Sequence, residues 1–339
     1  MTARLPGRPL GGIRGPFKGF SRLRVVDFTK LLPGPYATQI LADMGCRVRK
    51  LELPYFADAA RQTPPLIDGV GSTYWMVNQR KKLLSVDFRK PAGLKKVLRL
   101  VAGADVLVEG SRPGLMDRIG LGSKDMRRLN KRLVYCSLGG YPPEGPWSRK
   151  AGHDLNFLAV SGFLGLEGAG ARVPVTQVAD LAGSLAAVSS IMAALVERQR
   201  TGRGRHVQIS ISEAAHSWLP VALGELRAEG RDPSGSTRWW NGRHPFYRLY
   251  ETADGGRLAV AALEKPVALS LLDALGLGEL RALLDDSAAN AERLISELSR
   301  LLRTATAQEW SRRLQGKDVC VTPVYDIEQA AVFQDWLRG

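Results

Sequence analysis

The sequence predicts an α/β protein in which a doubly wound, mostly parallel sheet is followed by a smaller α+β domain. Two observations support this fold class. Short apolar segments alternate with helical patterns between residues 23 and 140, and turn signals rich in Gly and Pro separate them. In addition, 45% of the 339 residues are hydrophobic, which is enough for a sizeable core and excludes a disordered chain.

The first three elements form a strand, helix, strand unit. A short apolar strand begins at Leu23, residues 36–44 carry apolar side chains at helical spacing, and Gly45 is a helix stop. A second strand follows at 46–53. This order predicts two parallel strands that are joined by a right-handed crossover.

The same alternation continues toward the middle of the chain. We predict further strands at 83–88, 105–109 and 133–138, and helices at 91–102 and 123–130. From residue 141 a loop rich in Gly and Pro leads into a mainly helical stretch. Its clearest helix, 181–200, ends in basic residues followed by glycines, as is typical of a helix C-terminus.

The second half of the chain predicts a different arrangement. A strand at 206–211 and a helix from Ser212 precede two strands within 246–262, a run of helices over 265–316 and a strand near 319–325. We therefore expect four segments: a basic N-terminal extension over 1–22, a large domain over 23–205, a linker helix and small α+β domain over 206–316, and a return segment over 317–339.

The net charge of +15 is compatible with a polyanionic ligand. Of the 48 basic residues 35 are Arg, and they are scattered along the chain without a basic run interleaved with aromatic residues, so we expect no nucleic-acid partner. Scattered Arg side chains either converge on the phosphates of a small ligand or cover a solvated surface. The first 24 residues carry six basic and no acidic residues, and they lack the apolar region of a secretory signal.

Several kinds of site and location are excluded. No G-x-G-x-x-G joins the first strand to its helix, so a nicotinamide enzyme is not expected. Cys46, Cys136 and Cys320 are too far apart for a metal or redox motif, and we expect neither a metal nor a redox cofactor. Their odd number favours a reducing compartment, the cytoplasm. The apolar stretch 181–197 is interrupted by Gly and Ser, and we expect no membrane span.

Three residues are candidates for catalysis, and each has a plain structural alternative. His153 is one of four histidines and has Asp154 beside it, although a lone His is more often structural. Asp180 directly precedes the helix 181–200, where it is either an N-cap or a carboxylate aimed at a reacting group. Glu264 follows the predicted hairpin, a place where a surface Glu needs no function.

Seven short motifs occur in one order along the chain. They are Leu23-Arg-Val-Val-Asp-Phe, Pro33-Gly-Pro, Leu41-Ala-Asp-Met-Gly, Asn78-Gln-Arg-Lys, Arg112-Pro-Gly, Thr201-Gly-Arg-Gly and Val321-Thr-Pro-Val. In these motifs and their order the chain resembles the family III CoA transferases, the CaiB/BaiF group, from residue 23 to about residue 338. The resemblance implies a Rossmann-like large domain that binds CoA, a smaller domain, and an interlocked homodimer with a site between the two chains.

Two chemistries share that scaffold. Transferases use an aspartate as a nucleophile that forms acyl-anhydride and aspartyl-CoA thioester intermediates, whereas α-methylacyl-CoA racemases exchange the α-proton through a His and an Asp. Asp180 matches the aspartate of either. The segment Gly152-His153-Asp154-Leu-Asn156 resembles the racemase motif, and Glu264 falls where racemases carry a Glu that interacts with that His. The resemblance therefore favours the racemase branch.

The resemblance also implies the CoA contacts. Arg112 and Arg118 match basic positions that hold CoA phosphates, and Arg89 matches a basic position in the same neighbourhood. Val86 and Asp87 fall where the family's backbone passes the adenine. CoA enters as part of the acyl-CoA substrate, so no separate cofactor is expected.

The chain departs from the family pattern at three places. Leu53 stands where relatives often have an Arg near CoA. Arg243 and His244, in Asn241-Gly-Arg-His-Pro, replace two small residues of the segment expected near the acyl group. The chain also ends some tens of residues earlier than most relatives, which puts closure of the site in question.

The expected reaction is racemisation at C2 of a 2-methyl-branched acyl-CoA. An α-proton beside a thioester is acidic only if the enolate is stabilised as it forms, so the site needs one base on each face of that carbon. We expect His153 and Asp180 to be these bases, with Asp154 or Glu264 orienting the imidazole. One alternative is CoA transfer between an acyl-CoA and a carboxylate, with Asp180 as nucleophile. Another is a non-catalytic relative that only binds CoA.

Overall fold

In the computed structural model, which describes residues 15–234, 242–285 and 287–336, the strands and helices alternate as predicted. Residues 15–166 and 171–229 form one unit, and residues 167–170 with the described residues from 230 onward form a second. Residues 1–14 of the predicted extension, Asn241 and residues 337–339 lie outside the described residues. Within the described part of the extension, Lys18–Arg22 is a 3₁₀-helix, and Phe20 packs against the core of the first unit.

A six-stranded parallel sheet runs through the first unit. The strands of this unit are β1 (Arg24–Asp27), β2 (Arg47–Glu52), the short pair β3 (Leu66–Ile67) and β4 (Val70–Gly71), β5 (Lys82–Ser85), β6 (Val106–Glu109), β7 (Val134–Gly139) and β8 (His206–Ser210). The sheet order is β5-β2-β1-β6-β7-β8, and all neighbours in it are parallel. The chain leaves β1 toward β2 on one side and returns to β6 on the other, so the strand order reverses between β1 and β6.

Helices cover both faces of this sheet. They are α1 (Pro33–Asp43), α2 (Ser72–Val77), α3 (Pro91–Ala102), α4 (Leu115–Arg118), α5 (Ser123–Leu129), α6 (Asp154–Ser161), α7 (Val178–Thr201), α8 (Ile211–His216) and α9 (Pro220–Glu229). Successive strand residues point to opposite faces, so Val25 packs in a core with α1 and α7, whereas Val26 packs in a second core with α3 and α5. This burial on both faces explains the apolar runs of the central strands, such as Val106–Val108 in β6.

Helix α7 is the central helix of the larger core. A Cβ atom at Gly183 would lie 2.8 Å from Cγ1 of Ile211, so glycine allows α7 and α8 to pack closely. Among the described residues, α7 is the one helix long and apolar enough to cross a membrane, and half of its apolar stretch is buried in the protein. Core helices of globular proteins pass the same test, so this is weak evidence for a span.

The second unit has its own sheet and core. Its three antiparallel strands, in the order β11-β10-β9, are β9 (Arg248–Glu251), β10 (Arg257–Val260) and β11 (Val321–Pro323). Its helices are α10 (Lys265–Ala274), α11 (Ala288–Leu302), α12 (Ala307–Arg313) and α13 (Ile327–Trp336). Leu258, Leu271, Leu298 and Trp310 are buried together in its core.

The division between the units differs from the predicted boundary at 205/206. Strand β8 pairs with β7 in the large sheet, with Tyr135 opposite His206, and α8 packs on α7. The first unit therefore extends to Glu229. A strand that completes a sheet by pairing with residues about 70 positions earlier leaves no local signal of the unit to which it belongs.

Candidate active site

The carboxyl ends of the parallel strands form one edge of the large sheet, and the reversal of strand order lies between β1 and β6. In open α/β sheets this is the place where ligands bind. The loops after β1, β2, β5 and β6 all leave the sheet at this edge. Arg112 and Arg118, the predicted phosphate contacts, lie in the loop after β6 and at the end of α4, and both side chains are exposed.

The predicted adenine segment follows β5 at the same edge. The side chain of Val86 is buried in the core, and its N–H donates to the carbonyl of Glu52 at 2.9 Å. Asp87 forms an ion pair with Arg89 at 3.3 Å, and the Arg89 guanidinium lies 5.2 Å from the ring centroid of Phe56. The segment is therefore held by the backbone hydrogen bond of Val86 and by the ion pair of Asp87. The Arg89 side chain lies at the surface.

A cavity of about 420 Å³ opens at the carboxyl ends of β2 and β5. Glu52, Leu53 and Ser85 line it, together with Arg61, which the sequence reasoning did not identify. The Nε atom of Arg61 donates to Glu52 at 2.8 Å, and its guanidinium lies 4.1 Å from the ring centroid of Tyr74. A cation is thus present beside Leu53. No motif marks Arg61, because it is the last residue of a short 3₁₀ turn (Ala59–Arg61) whose position depends on the fold.

His153, Asp154 and Asp180 lie at the N-terminal ends of two neighbouring helices. Helix α6 begins at Asp154, and the N–H of His153 donates to Oδ1 of Asn156 at 3.0 Å. Helix α7 begins at Val178, so Asp180 lies in its first turn and is not the N-cap that its position suggested. Instead, Oδ1 of Asp154 accepts a hydrogen bond from the backbone N–H of Asp180 at 3.0 Å. This bond joins the segment that carries His153 to Asp180.

The electrostatic environment of Asp180 favours its protonated form. Burial, and in second place the charge of Asp154, raise the pKa of Asp180 to about 7. His153, the residue before Asp154, is exposed. The Asp154 carboxylate therefore accepts a hydrogen bond from the backbone of Asp180, the other proposed base. The sequence had predicted only that Asp154 orients the imidazole of His153. Burial and Asp154 thus place the pKa of this carboxyl group near neutrality.

Aromatic packing supports the loop that leads to His153. The rings of Tyr141 and Phe157 meet edge to face at 5.2 Å. A Cβ atom at Gly152 would lie 2.8 Å from Cε1 of Phe157 and 2.9 Å from the hydroxyl of Tyr141, and one at Gly140 would lie 2.4 Å from the Phe157 ring. Both glycines let the loop approach the ring closely, and so define where His153 enters α6.

Glu264 belongs to the second unit. It is exposed and occupies the N-cap position of α10. Beside it a cavity of about 400 Å³ is lined by Arg243, His244 and Lys265, with mainly apolar walls and one acid, Asp285. Nδ1 of His244 accepts the N–H of Phe246 at 3.2 Å, so the neutral imidazole carries its proton on Nε2. The two large residues that depart from the family pattern therefore line a cavity of the second unit.

Within the described residues, no group of three or more His, Cys, Asp or Glu side chains is arranged to hold a metal ion. Exposed Arg side chains and helix N-termini are groups that bind phosphates, and the first unit carries both, together with one carboxyl group of raised pKa.

Known proteins are similar to this chain in sequence and in structure. The model of the family described as CoA-transferase family III matches residues 20–338. The chain is 33% identical to an alpha-methylacyl-CoA racemase of Mus musculus over 91% of this chain and 78% of that protein, and 30% identical to an acetyl-CoA:oxalate CoA-transferase of Acetobacter aceti over 98% and 85%. A CAIB/BAIF family protein from Brucella suis is similar in structure, with a TM-score of 0.80, 28% identity and coverage of 94% and 87%.

Proposed function

Because this chain belongs to CoA-transferase family III, we propose that it racemises C2 of a 2-methyl-branched acyl-CoA by two-base proton transfer between His153 and Asp180. The observation that carries the proposal is the hydrogen bond from the N–H of Asp180 to Asp154, the residue next to His153. It joins the two helix ends that bear one base each. The racemase among the relatives supports the same reading.

The proposed chemistry needs two groups that exchange roles. In one direction ionised Asp180 removes the α-proton, electrons move into the thioester carbonyl to form an enolate, and protonated His153 delivers a proton to the opposite face. In the other direction neutral His153 is the base and protonated Asp180 the acid. A pKa of about 7 supplies both forms of Asp180 at neutral pH. The N-terminal ends of α6 and α7 favour the negative charge of the enolate.

The CoA part of the substrate is proposed to lie along the carboxyl edge of the large sheet. Arg112 and Arg118 bind its phosphates, Val86 and Asp87 pass the adenine, and Arg89 adds a surface cation nearby. Arg61, in the cavity beside Leu53, supplies a cation close to the position at which relatives often carry an Arg. The role of Glu264 stays the prediction that the resemblance implies.

We also propose that the protein acts as an interlocked homodimer in the cytoplasm. Exposed apolar side chains on α6, α7 and α9 support an interface between copies: Leu155, Val160, Leu185, Val196 and Val221. All three cysteines are free, which supports a reducing compartment. Light scattering during gel filtration measures the oligomeric state, and a monomer at micromolar concentration contradicts the dimer.

CoA transfer is the second candidate function, with Asp180 as the nucleophile. The relative that transfers CoA to oxalate supports it. The cationic side chains of Arg243 and Lys265 at the cavity of the second unit are also of the kind that binds a carboxylate acceptor.

Incubation with (2R)- and (2S)-2-methylacyl-CoA in D₂O tests both functions when a parallel sample contains a carboxylate acceptor. Racemisation introduces deuterium at C2 from both epimers, and Asp180→Ala and His153→Ala abolish it. A new acyl-CoA in the parallel sample, without exchange, indicates the transferase. Binding of acetyl-CoA with neither reaction indicates a non-catalytic relative, and contradicts both enzymatic proposals.

A further inference from the structure

Four charged side chains are buried together beneath the turn between β1 and α1. They are Asp27, Lys50, Asp58 and Lys81, and none of the four side chains is exposed. Lys81 lies 3.2 Å from Asp27, and Lys50 lies 3.6 Å from Asp58. Buried ion pairs of this kind are costly to desolvate, and apolar side chains of similar volume often stabilise a fold as well or better. The cluster therefore calls for a reason other than stability.

We call these four residues the buried charge cluster. They are bonded to the backbone of residues 29–35, which comprise the connection after β1 and the first residues of α1 and which we call the turn. Asp27 accepts the N–H of Thr29 at 2.8 Å, and Lys50 donates to the carbonyl of Thr29 at 2.6 Å. Asp58 accepts the N–H of Leu31 through both carboxylate oxygens, at 3.0 and 3.1 Å. All of these bonds end on main-chain atoms of the turn, so the cluster determines the course of its backbone.

Lys81, like Asp27, makes four hydrogen bonds in the cluster. Its Nζ atom lies within hydrogen-bond distance of four acceptors, which are the carbonyl of Pro35 (2.8 Å), Oγ1 of Thr38 (2.7 Å), Oδ1 of Asn78 (3.0 Å) and Oδ2 of Asp27 (3.2 Å). A compact ammonium group at the end of a flexible chain suits this set of directions, whereas a planar guanidinium does not.

The turn has an unfavourable backbone conformation. Leu31 has a φ of +64°, in the left-handed region that non-glycine residues rarely adopt. Such residues persist where the surrounding structure over-determines them, and they concentrate at functional sites. The Leu31 side chain is 43% exposed, so packing of that side chain does not explain the conformation.

The turn is also bonded to the helix that carries Asp180. Oγ of Ser184, a buried residue of α7, lies 2.7 Å from the carbonyl of Pro33 and 2.7 Å from the carbonyl of Asp180. The turn lies at the carboxyl end of β1, beside the reversal of strand order. One chain of contacts thus runs from the buried charge cluster through the turn to the first turn of α7.

We propose that the buried charge cluster is a positioning device: it fixes the turn 29–35 against which the acyl-CoA thioester is held, and Ser184 aligns Asp180 with that turn. This inference rests on the proposed function, since the aligned group is the proposed acid–base residue. Lys81 and Ser184 are its two positioning residues. Lys81 acts on substrate binding, and Ser184 acts on the chemical step.

The test compares Lys81→Met with Lys82→Met, and Ser184→Ala with Ser189→Ala. Lys82 is the exposed neighbour of Lys81, and Ser189 is an exposed serine of the same helix. We expect Lys81→Met to raise the KM for 2-methylacyl-CoA and the Kd for acetyl-CoA about tenfold, and Ser184→Ala to lower kcat about tenfold with little change in KM. Lys81→Arg should not rescue binding. The two control variants should behave like the wild type.

Amide hydrogen exchange gives a readout that does not depend on activity. In Lys81→Met the amides of residues 29–32 and Gly34 and of the first turn of α7 should exchange faster, and those of α11 in the second unit should not change. If Lys81→Met does not fold, the double variant Asp27→Asn/Lys81→Met, which removes both charges, replaces it with the same expectations. A folded Lys81 variant with wild-type KM, kcat and exchange overturns the inference and leaves the proposed function intact. A wild-type protein without exchange at C2 overturns the proposed function instead.

Discussion

Replacing Asp154 by Asn tests whether this residue sets the protonation state of the proposed acid–base group. Oδ1 of Asp154 accepts the N–H of Asp180 at 3.0 Å, and burial together with the charge of Asp154 raises the pKa of Asp180 to about 7. An Asn side chain retains an oxygen for this hydrogen bond but carries no charge. We therefore expect Asp154→Asn to lower the pKa of Asp180 while the start of α7 keeps its partner.

The size of the change follows from the two causes of the raised pKa. The ordinary value is 3.8, so the displacement to about 7 is about 3, and burial is the larger cause. The charge of Asp154 accounts for less than half of it. We expect the pKa of Asp180 to fall by about 1, which is about 1.4 kcal/mol, and to stay above its ordinary value because the carboxyl group remains buried.

The pH dependence of kcat for deuterium exchange at C2 measures this pKa. Asp180 must be ionised to take the proton of one epimer and protonated to act on the other, so its inflection has opposite signs for the two epimers. In Asp154→Asn both inflections should lie about 1 pH unit lower. In Asp125→Asn, which changes an exposed carboxylate on α5, they should not move. Inflections that stay in place in Asp154→Asn, or that move upward, refute the reasoning.

Three further predictions concern the loop, the stability and the phosphate contacts. Gly152→Ala brings a Cβ atom 2.8 Å from Cε1 of Phe157, so we expect a loss of stability of about 1–3 kcal/mol in urea unfolding and a kcat about tenfold lower. Asp180→Asn should stabilise the protein at pH 8 by up to about 4 kcal/mol, but not at pH 4, because a folded pKa raised to about 7 makes wild-type stability fall as pH rises from about 4 to 7. Arg112→Ala should raise the Kd for acetyl-CoA about tenfold in calorimetry and weaken its salt dependence.

Matched variants serve as controls for these three predictions. Gly224→Ala adds a Cβ atom in open space on α9 and should not lower kcat or stability. Asp125→Asn should leave the pH dependence of unfolding unchanged. Arg128→Ala removes an exposed Arg of α5 and should leave the Kd for acetyl-CoA unchanged. If the free energies of unfolding of Asp180→Asn and of the wild type change in parallel between pH 4 and 8, the raised pKa of Asp180 is contradicted.

The strands of the large sheet were predictable because helices cover both of its faces. A central strand is then an apolar run between turn signals, as in β6, all of whose residues are buried, whereas the outer strand β5 is mostly exposed. The membership of β8 was not predictable. Its pairing with β7 joins residues about 70 positions apart, and nothing in its own sequence distinguishes an edge strand of the first sheet from a strand of the next domain.

The sequence points to single residues of the candidate site, but not to the hydrogen bonds between them. His153 is singled out by a motif and Asp180 by its place before a predicted helix, whereas the hydrogen bond between Asp154 and Asp180 joins residues 26 positions apart. Lys50 and Lys81 illustrate the larger difficulty. Lysine is almost never fully buried unless it is paired, so in a sequence each of them is indistinguishable from a surface residue. Only the fold brings their partners, Asp58 and Asp27, to them.

The protonation state of Asp180 matters differently to the two proposed chemistries. A carboxylate nucleophile acts only when ionised, whereas a residue that takes a proton in one direction and returns it in the other needs both forms in comparable amounts. At the ordinary pKa of 3.8 fewer than about one Asp in a thousand is protonated at pH 7, and at a pKa of about 7 about half are. Burial and Asp154 therefore give Asp180 both protonation states near pH 7, which is the condition that the proposed proton transfer needs.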